Sequence, residues 1–330
     1  RWECPFYDSE HIWEDWKYTG LQSRYNTELF TDKALAFIAA ARKRGRPFFV
    51  QVAYHAVHGP LKPQAPERYF RKFPSASYSL TNFYAHVNAV DEGVAAIRDA
   101  LGEDWENTLL LFCSDNGAPC GGETPLPGNA PCAGHKGMFL QGGFRVPMLA
   151  HWPRGFAGGQ TRGEMASMLD LMPTALDAAG VAAPAGLDGR SLLPLLRGKA
   201  KTVHEHLVWA GIHARAWGFQ RETVIGEAER RREESPGAWV ATDGRYLLRF
   251  VTTTPPGLFE DLPDGAPPHY EIFDLLEDPG ETRDLSGQIP QAVKRLQELY
   301  FTHAKEFPPP AAWRRDRWRE MVPPDNVHLK

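Results

Sequence analysis

Long apolar runs are missing from this sequence, and so is an excess of basic charge. No stretch of the 330 residues approaches the 18 consecutive apolar residues that indicate a membrane-spanning helix. The 37 Lys and Arg residues stand against 41 Asp and Glu, a formal net charge of -4, which argues against a dedicated nucleic-acid binder. With 42% hydrophobic and 24% charged residues, the composition is that of a globular protein and excludes extensive disorder.

Cysteine is scarce as well. Four Cys residues are too few for a disulfide scaffold, and none is spaced as a zinc site requires. Cys120 and Cys132 share a loop rich in Gly and Pro, where they could form a disulfide or remain two thiols, and both alternatives stay open. The chain begins at Arg1 without a leader segment, from which we expect a processed chain or part of a longer one.

Helices and strands alternate through the first 200 residues. Apolar residues at helical spacing predict helices over residues 26–44, 83–101 and 168–179. Asn26 or Thr27 is the predicted cap of the first helix. Nearly continuous apolar runs predict buried strands over residues 47–54, 108–113 and 146–152. The alternation predicts an α/β fold with a mostly parallel central sheet.

The pattern changes after about Gly198. Short apolar segments separated by turns predict a small antiparallel sheet with strands at residues 207–210, 238–241 and 246–251. A helix is predicted over residues 291–305. We therefore predict two domains, an α/β catalytic part over residues 1–198 and a smaller α+β subdomain over residues 199–330, which ends in a surface tail from Pro308.

Polar side chains follow two of the predicted buried strands. His55 and His58 come after the first strand, and Asp115 and Asn116 come directly after the second. The chain then returns through a loop that carries Lys136. Because ligands in open α/β sheets bind beyond the carboxyl ends of the strands, we predict that His58, Asp115, Asn116 and Lys136 converge at one rim of the sheet.

The residue types indicate a chemistry. Asp and Asn offer oxygen ligands, which suit Ca²⁺ or Mg²⁺ better than Zn²⁺. Lysine suits an anionic oxygen group, and histidine can protonate a leaving oxygen. Together they would serve the hydrolysis of an anionic ester. The alternatives are structural: Asp-Asn-Gly is commonly a turn, the two histidines could pack within their loop, and Lys136 could be a solvated charge.

Several motifs occur in a consistent order from about Tyr25 to Leu285. They are Pro47-Phe48-Phe49 through His55-Ala56-Val57-His58-Gly59-Pro60, Leu111-Phe112-Cys113-Ser114-Asp115-Asn116-Gly117, Gly134-His135-Lys136-Gly137, Gln141-Gly142-Gly143-Phe144-Arg145-Val146-Pro147, Asp188-Gly189-Arg190-Ser191, and Tyr270-Glu271-Ile272-Phe273-Asp274-Leu275. Together they resemble the type I sulfatase family of the alkaline phosphatase superfamily. Two residues depart from the family pattern: Gln141 stands where Glu is usual, and Cys113 stands where Thr or a small residue is common.

The resemblance implies a fold, a reaction and roles for residues. It implies part of an alkaline-phosphatase-like sandwich that hydrolyses the sulfate ester of a sugar or aromatic alcohol. Asp115 and Asn116 would be calcium (or magnesium) ligands. His58 and Lys136 would contact the sulfate group, with His58 assisting the leaving group. His55 would lie at the substrate, with a loop hydrogen bond as its alternative role.

The family's nucleophile is missing from this sequence. It is a formylglycine made from Cys or Ser in a C/S-x-P-x-R segment, and no Cys or Ser of the chain lies in such a segment. By the resemblance we expect the nucleophile upstream, installed by a formylglycine-generating enzyme, and we expect this chain alone to be inactive. The resemblance also favours an extracytoplasmic location.

Two alternatives remain open at this stage. A phosphate or phosphonate ester hydrolase of the same superfamily would use related residues with an unmodified Thr or Ser nucleophile. A non-catalytic, sulfatase-like fragment could instead bind anionic glycans.

Overall fold

The computed structural model describes residues 8–14, 17–58, 65–74, 77–119, 128–211, 238–251 and 269–307. The chain divides into two compact units. The first consists of Arg1–Thr108 with Gly121–Leu126, and the second of Leu109–Cys120 with Pro127–Lys330. The domain boundary predicted at residue 198 stays a prediction, and the predicted tail from Pro308 lies outside the described residues. Within those residues, every helix is too short or too polar to cross a membrane.

The first unit is built mainly from helices. Helices α1 (Asn26–Lys43) and α3 (Tyr78–Leu101) pack together, with the short α2 (Glu67–Phe70) beside α3. A 3-10 turn, Gly102–Asn107, follows α3. Strands β1 (Asp8–Glu14) and β2 (Lys17–Ser23) form an antiparallel hairpin that was not predicted from the sequence. A small core of Tyr25, Tyr69, Ala85 and Ala89 joins α2 and α3 to the start of α1.

The ends of the two long helices differ from the prediction. Helix α3 begins at Tyr78 instead of residue 83, because the Ser77 side chain accepts a hydrogen bond from the Leu80 N–H at 3.4 Å and caps an extra turn. Helix α1 spans Asn26–Lys43 close to the predicted range, but the predicted cap is wrong. Its N-cap residue is Tyr25, no side chain caps the helix, and the Asn26 amide is used elsewhere.

The strand predicted over residues 47–54 does not form among the described residues. The segment is extended, but it belongs to none of the described strand ladders. Its side chains alternate in exposure, with Val50, Val52 and Tyr54 half-buried and Phe49 73% exposed. The buried side of the segment faces the helices, where the Tyr54 hydroxyl lies 2.9 Å from the Thr31 hydroxyl. The apolar run therefore packs on one face, which differs from the two-sided burial that we predicted.

The second unit begins with a two-stranded sheet. Strands β3 (Leu110–Cys113) and β4 (Met148–His151) confirm two predicted strands, although they pair antiparallel, with Phe112 opposite Leu149. The described ladders are all antiparallel, so the mostly parallel central sheet is not confirmed. A short helix, α4 (Gln141–Phe144), precedes β4. The predicted helix over residues 168–179 is a 3-10 turn, Met168–Asp170, followed by α5 (Leu171–Ala178). A further short helix, α6, spans Leu193–Leu196.

The predicted small antiparallel sheet is present and has four strands. They are β5 (Leu207–Gly211), β6 (Ala238–Thr242), β7 (Tyr246–Val251) and β8 (His269–Asp274), paired in chain order. Strand β8 was not predicted as a strand. Helix α7 (Pro290–Ala304) covers one face, where the rings of Trp239 and Tyr300 stack with centroids 3.9 Å apart. The opposite face carries the loop that precedes β4.

Candidate functional site

The turn after β3 presents the two predicted metal ligands. The Ser114 hydroxyl donates to the Asn116 carbonyl at 2.9 Å, which closes the turn. Asp115 is exposed, and its carboxylate accepts no hydrogen bond and forms no ion pair among the described residues. Asn116 is half-buried, and its amide N–H donates to the Gly117 carbonyl at 3.3 Å, which leaves its side-chain oxygen for another partner. The turn thus offers one carboxylate and one amide oxygen.

These donors fit a hard cation but do not complete a site. Carboxylate and amide oxygens are the ligands that Ca²⁺ and Mg²⁺ prefer. Ca²⁺ takes six to eight oxygen ligands, and this turn supplies two side chains. Within the residues that the structure describes, no group of three or more His, Cys, Asp or Glu side chains is placed to hold a metal. A cation at Asp115 and Asn116 would therefore need further ligands.

The loop that carries Lys136 lies against the same turn. The Lys136 N–H donates to the Ala118 carbonyl at 3.2 Å, and the Gly117 N–H donates to the Gly143 carbonyl at 3.0 Å. The contact leaves no room for a side chain, because a Cβ at Gly117 would lie 1.7 Å from the Gly142 carbonyl oxygen. Lys136 is half-buried and forms no ion pair with a described residue. The structure therefore joins, through the backbone, the loops of three predicted site residues.

One face of the four-stranded sheet supports the Lys136 loop. Phe139, Leu140 and Phe144 pack on the face of the sheet that α7 does not cover. The ring of Phe144 stacks on Trp209 with centroids 4.6 Å apart. Their partners in the sheet are the buried Val240, Leu247 and Phe273. The sheet therefore holds the loop in position, a structural role that was not predicted from the sequence.

Gln141 connects this loop to the chain after β8. Its backbone N–H donates to a Glu281 carboxylate oxygen at 2.8 Å, and its side-chain amide donates to the Pro279 carbonyl at 3.2 Å. Arg145 donates to the Gln141 side-chain oxygen at 2.8 Å. Burial raises the pKa of Glu281 to about 7. A carboxylate at position 141 could not donate to Pro279, so the amide fits this site where the family usually has Glu.

The two histidines belong to the first unit, and Asn26 orients one of them. The Asn26 amide N–H donates to His55 Nδ1 at 3.2 Å, so the neutral imidazole carries its proton on Nε2. Phe30 contacts the same ring edge-on, with centroids 5.8 Å apart. Partial burial, and then the neighbouring His58, lower the pKa of His55. The His58 N–H donates to the His55 carbonyl at 2.8 Å, and the His58 side chain is exposed.

The loops of three predicted site residues are thus in backbone contact in the second unit, and the other two predicted residues belong to the first. His58 lies in one unit and Asp115, Asn116 and Lys136 lie in the other, and their convergence stays a prediction. The loop hydrogen bond considered for His55 is present. Asn26 was missed because its place at a predicted helix start suggested a role as a helix cap.

The predicted disulfide alternative also stays open. Cys132 is half-buried and forms no disulfide with a described residue, whereas Cys120 lies outside the described residues. Burial raises the pKa of the Cys132 thiol, which makes it a poor nucleophile at neutral pH.

Comparison with known proteins assigns the family. The sulfatase family model matches residues 4–181. Bovine arylsulfatase A is 31% identical over 308 residues, which cover 87% of this chain and 53% of the relative. The uncharacterized sulfatase YdeN of Escherichia coli is 37% identical over 190 residues, 56% of this chain and 33% of the relative. The chain belongs to the sulfatase family, and it spans about half the length of arylsulfatase A.

Solved structures give the same fold. Ps i-CgsB in complex with k-i-k-neocarrahexaose has a TM-score of 0.70 at 24% identity, covering 96% of this chain and 64% of that chain. BT4656 in complex with its substrate D-glucosamine-2-N,6-O-disulfate has a TM-score of 0.55 at 18% identity, covering 92% and 74%. The phosphonate monoester hydrolase SpPMH from Silicibacter pomeroyi has a TM-score of 0.54 at 19% identity, covering 85% and 60%. At these identities the likeness concerns the fold alone.

Proposed function

We propose that this chain forms part of the active site of a sulfate ester hydrolase. The observation that carries the proposal is the backbone contact between the Asp115–Asn116 turn and the Lys136 loop, in a chain that belongs to the sulfatase family. The contact holds two oxygen ligands and a cationic side chain on neighbouring loops. An anionic ester bound there would meet a cation and an ammonium group together.

Each residue has a distinct role in this proposal. Asp115 and Asn116 hold a Ca²⁺ or Mg²⁺ ion, which when bound offsets negative charge on the oxygens of the sulfate group. Lys136 contacts another sulfate oxygen as a point charge and stabilises the charge that develops there in the transition state. His58 donates a proton to the oxygen of the departing alcohol. His55, oriented by Asn26, directs its Nε2–H at the substrate.

The nucleophile belongs to the whole protein rather than to this chain. We propose that it is a formylglycine outside the 330 residues, formed by a formylglycine-generating enzyme, since no C/S-x-P-x-R segment occurs within them. The same region would supply the remaining carboxylate ligands of the cation. The chain alone should then bind the cation weakly, because calcium affinity increases with the number of charged ligands, and should release no sulfate.

The substrate class that we propose is the sulfate ester of a sugar. Its support is the likeness to the N-acetylgalactosamine-6-sulfatase of Mus musculus, which is 34% identical over 180 residues, 52% of this chain and 33% of the relative. An aryl sulfate is the alternative, suggested by the likeness to arylsulfatase A. An extracytoplasmic location is part of the proposal and rests on the family resemblance.

A substrate panel tests the proposal. We would assay the whole protein, prepared with a formylglycine-generating enzyme, for release of sulfate from sugar and aryl sulfates and for hydrolysis of phosphate and phosphonate monoesters. Sulfate release that falls at least about 100-fold in Asp115→Ala is the expected result. Preferred hydrolysis of phosphonate esters would favour the related phosphonate hydrolase. Binding of sulfated glycans without turnover would favour a non-catalytic module.

A further inference from the structure

The side chain of Asn129 joins the two loops of the candidate site. Its oxygen accepts the Ala118 N–H at 2.7 Å. Its amide nitrogen donates to the Ala118 carbonyl at 2.9 Å and to the Gly134 carbonyl at 3.1 Å. Ala118 comes shortly after Asp115 and Asn116 in the chain, and Gly134 comes two residues before Lys136. One side chain thus bonds to both loops.

The chemistry of these three bonds requires an amide. The two N–H groups of Asn129 meet two carbonyl oxygens, while its oxygen meets an N–H, so the opposite orientation of the amide would place like groups together. Aspartate has the same shape but cannot donate, and its charge would repel both carbonyl oxygens. Alanine would remove all three bonds.

Asn129 also bonds to the carbonyl group that accepts the hydrogen bond of the Lys136 backbone. The Ala118 carbonyl receives both the Asn129 amide and the Lys136 backbone N–H, the latter at 3.2 Å. Close glycine packing holds the neighbouring backbone, since a Cβ at Gly142 would lie 2.3 Å from the Gly134 carbonyl oxygen. The loops are therefore in direct contact, and Asn129 bonds to both of them.

We infer that Asn129 is a positioning residue that sets the place of Lys136 relative to the Asp115–Asn116 turn. This inference rests on the proposed function. Asn129 does not touch the substrate in this account; it acts through Lys136. Losing its bonds lets the Lys136 loop move relative to the turn, and a displacement of about 1 Å in an active site costs about 100-fold in rate.

A double-mutant cycle in the whole protein tests the inference. We would measure kcat and KM for sulfate release in wild type, Asn129→Ala, Lys136→Ala and the double variant. We expect Asn129→Ala to lower kcat about 100-fold. In the Lys136→Ala background the same change should lower kcat less than about threefold, because the group that it positions is already gone. Asn129→Ser replaces Asn129→Ala if the latter does not fold.

Thr174→Val is the matched control. The Thr174 hydroxyl is fully buried in the same unit and accepts the Leu192 N–H at 2.8 Å, away from both loops. Thr174→Val should lower the melting temperature without lowering kcat. Additive losses in the cycle, or a loss of kcat in the control equal to that of Asn129→Ala, would overturn the inference. A wild type that releases no sulfate would instead overturn the proposed function and the inference with it.

Discussion

Gly117→Ala is the substitution whose effect the structure specifies most sharply. The new Cβ would lie 1.7 Å from the Gly142 carbonyl oxygen and 2.8 Å from its carbonyl carbon. An ordinary contact between carbon and oxygen is at least about 3.3 Å, so the loops would have to separate by about 1.6 Å. The obstacle is backbone, which cannot turn aside as a flexible side chain can. The substitution must therefore disrupt the candidate site.

The free energy of unfolding that Gly117→Ala loses has two contributions. Overpacking a tight contact costs about 1 to 3 kcal/mol. Separation also breaks the hydrogen bond from the Gly117 N–H to the Gly143 carbonyl, worth about 1 kcal/mol. We expect Gly117→Ala to reduce the free energy of unfolding by about 3 kcal/mol, which corresponds to a melting temperature lower by roughly 6 to 12 °C for a unit of this size.

The assay is thermal and urea unfolding of the chain, followed by circular dichroism. Gly163→Ala is the matched control in the same unit, because nothing lies within 4 Å of a Cβ at Gly163. That variant should stay within about 0.5 kcal/mol of wild type. If Gly117→Ala unfolds at the same temperature as Gly163→Ala, the close contact between the loops does not exist and the reasoning fails.

Three further predictions concern other parts of the structure. Asn26→Asp should raise the pKa of His55, because a carboxylate beside Nδ1 favours the charged imidazolium; an NMR titration of the ring measures it. The pKa of Glu281 is about 7 in the folded chain and 4.5 in the unfolded chain. The free energy of unfolding of wild type should therefore fall by about 3 kcal/mol as the pH rises from 4.5 through 7. Urea unfolding should show no such fall in Glu281→Gln. Tyr300→Ala should cost about 4 kcal/mol by the same method, because it removes the ring stacked on Trp239.

Controls separate these effects from general damage. Asn107→Asp places the same charge at an exposed position on the 3-10 turn and should leave the pKa of His55 unchanged. Tyr300→Phe should cost less than about 1 kcal/mol, because the Tyr300 hydroxyl is buried without a hydrogen-bond partner among the described residues. A fall in Glu281→Gln stability over the same pH range, or a Tyr300→Phe variant as unstable as Tyr300→Ala, would contradict the structure.

Local sequence signals predicted the long helices α1, α3 and α7 and five of the eight described strands, but not the short helices α2, α4 and α6. The apolar stripe of α3 and the short apolar segments of β6 and β7 depend on neighbours close in sequence, so they could be predicted directly. Strand pairing could not be predicted in this way, because the direction of β4 relative to β3 depends on the path of a long loop, which the local sequence does not indicate. Residues 47–54 show the same limit: their composition indicated burial on two faces, whereas one face is exposed.

The residues of the candidate site also divide into those that the sequence could identify and those that it could not. Asp115, Asn116 and Lys136 could be found because their residue types suit the chemistry and they follow predicted strands or lie in a returning loop. Asn129 and Asn26 could not, because each acts through hydrogen bonds to residues whose proximity only the fold creates. Asn26 in particular stood at a helix start, where the capping preference of Asn gave a sufficient but wrong explanation.

A single active site formed by these residues requires His58 to lie close to the cation that Asp115 and Asn116 would hold. Mn²⁺ would replace the native cation in the whole protein, and the paramagnetic broadening of the histidine ring signals would be followed by NMR, with Asp115→Ala as the control that removes the cation. We predict strong broadening of the His58 signals in wild type and its loss in Asp115→Ala. His58 signals that stay sharp while Mn²⁺ occupies the Asp115 site would contradict a single active site formed by these residues.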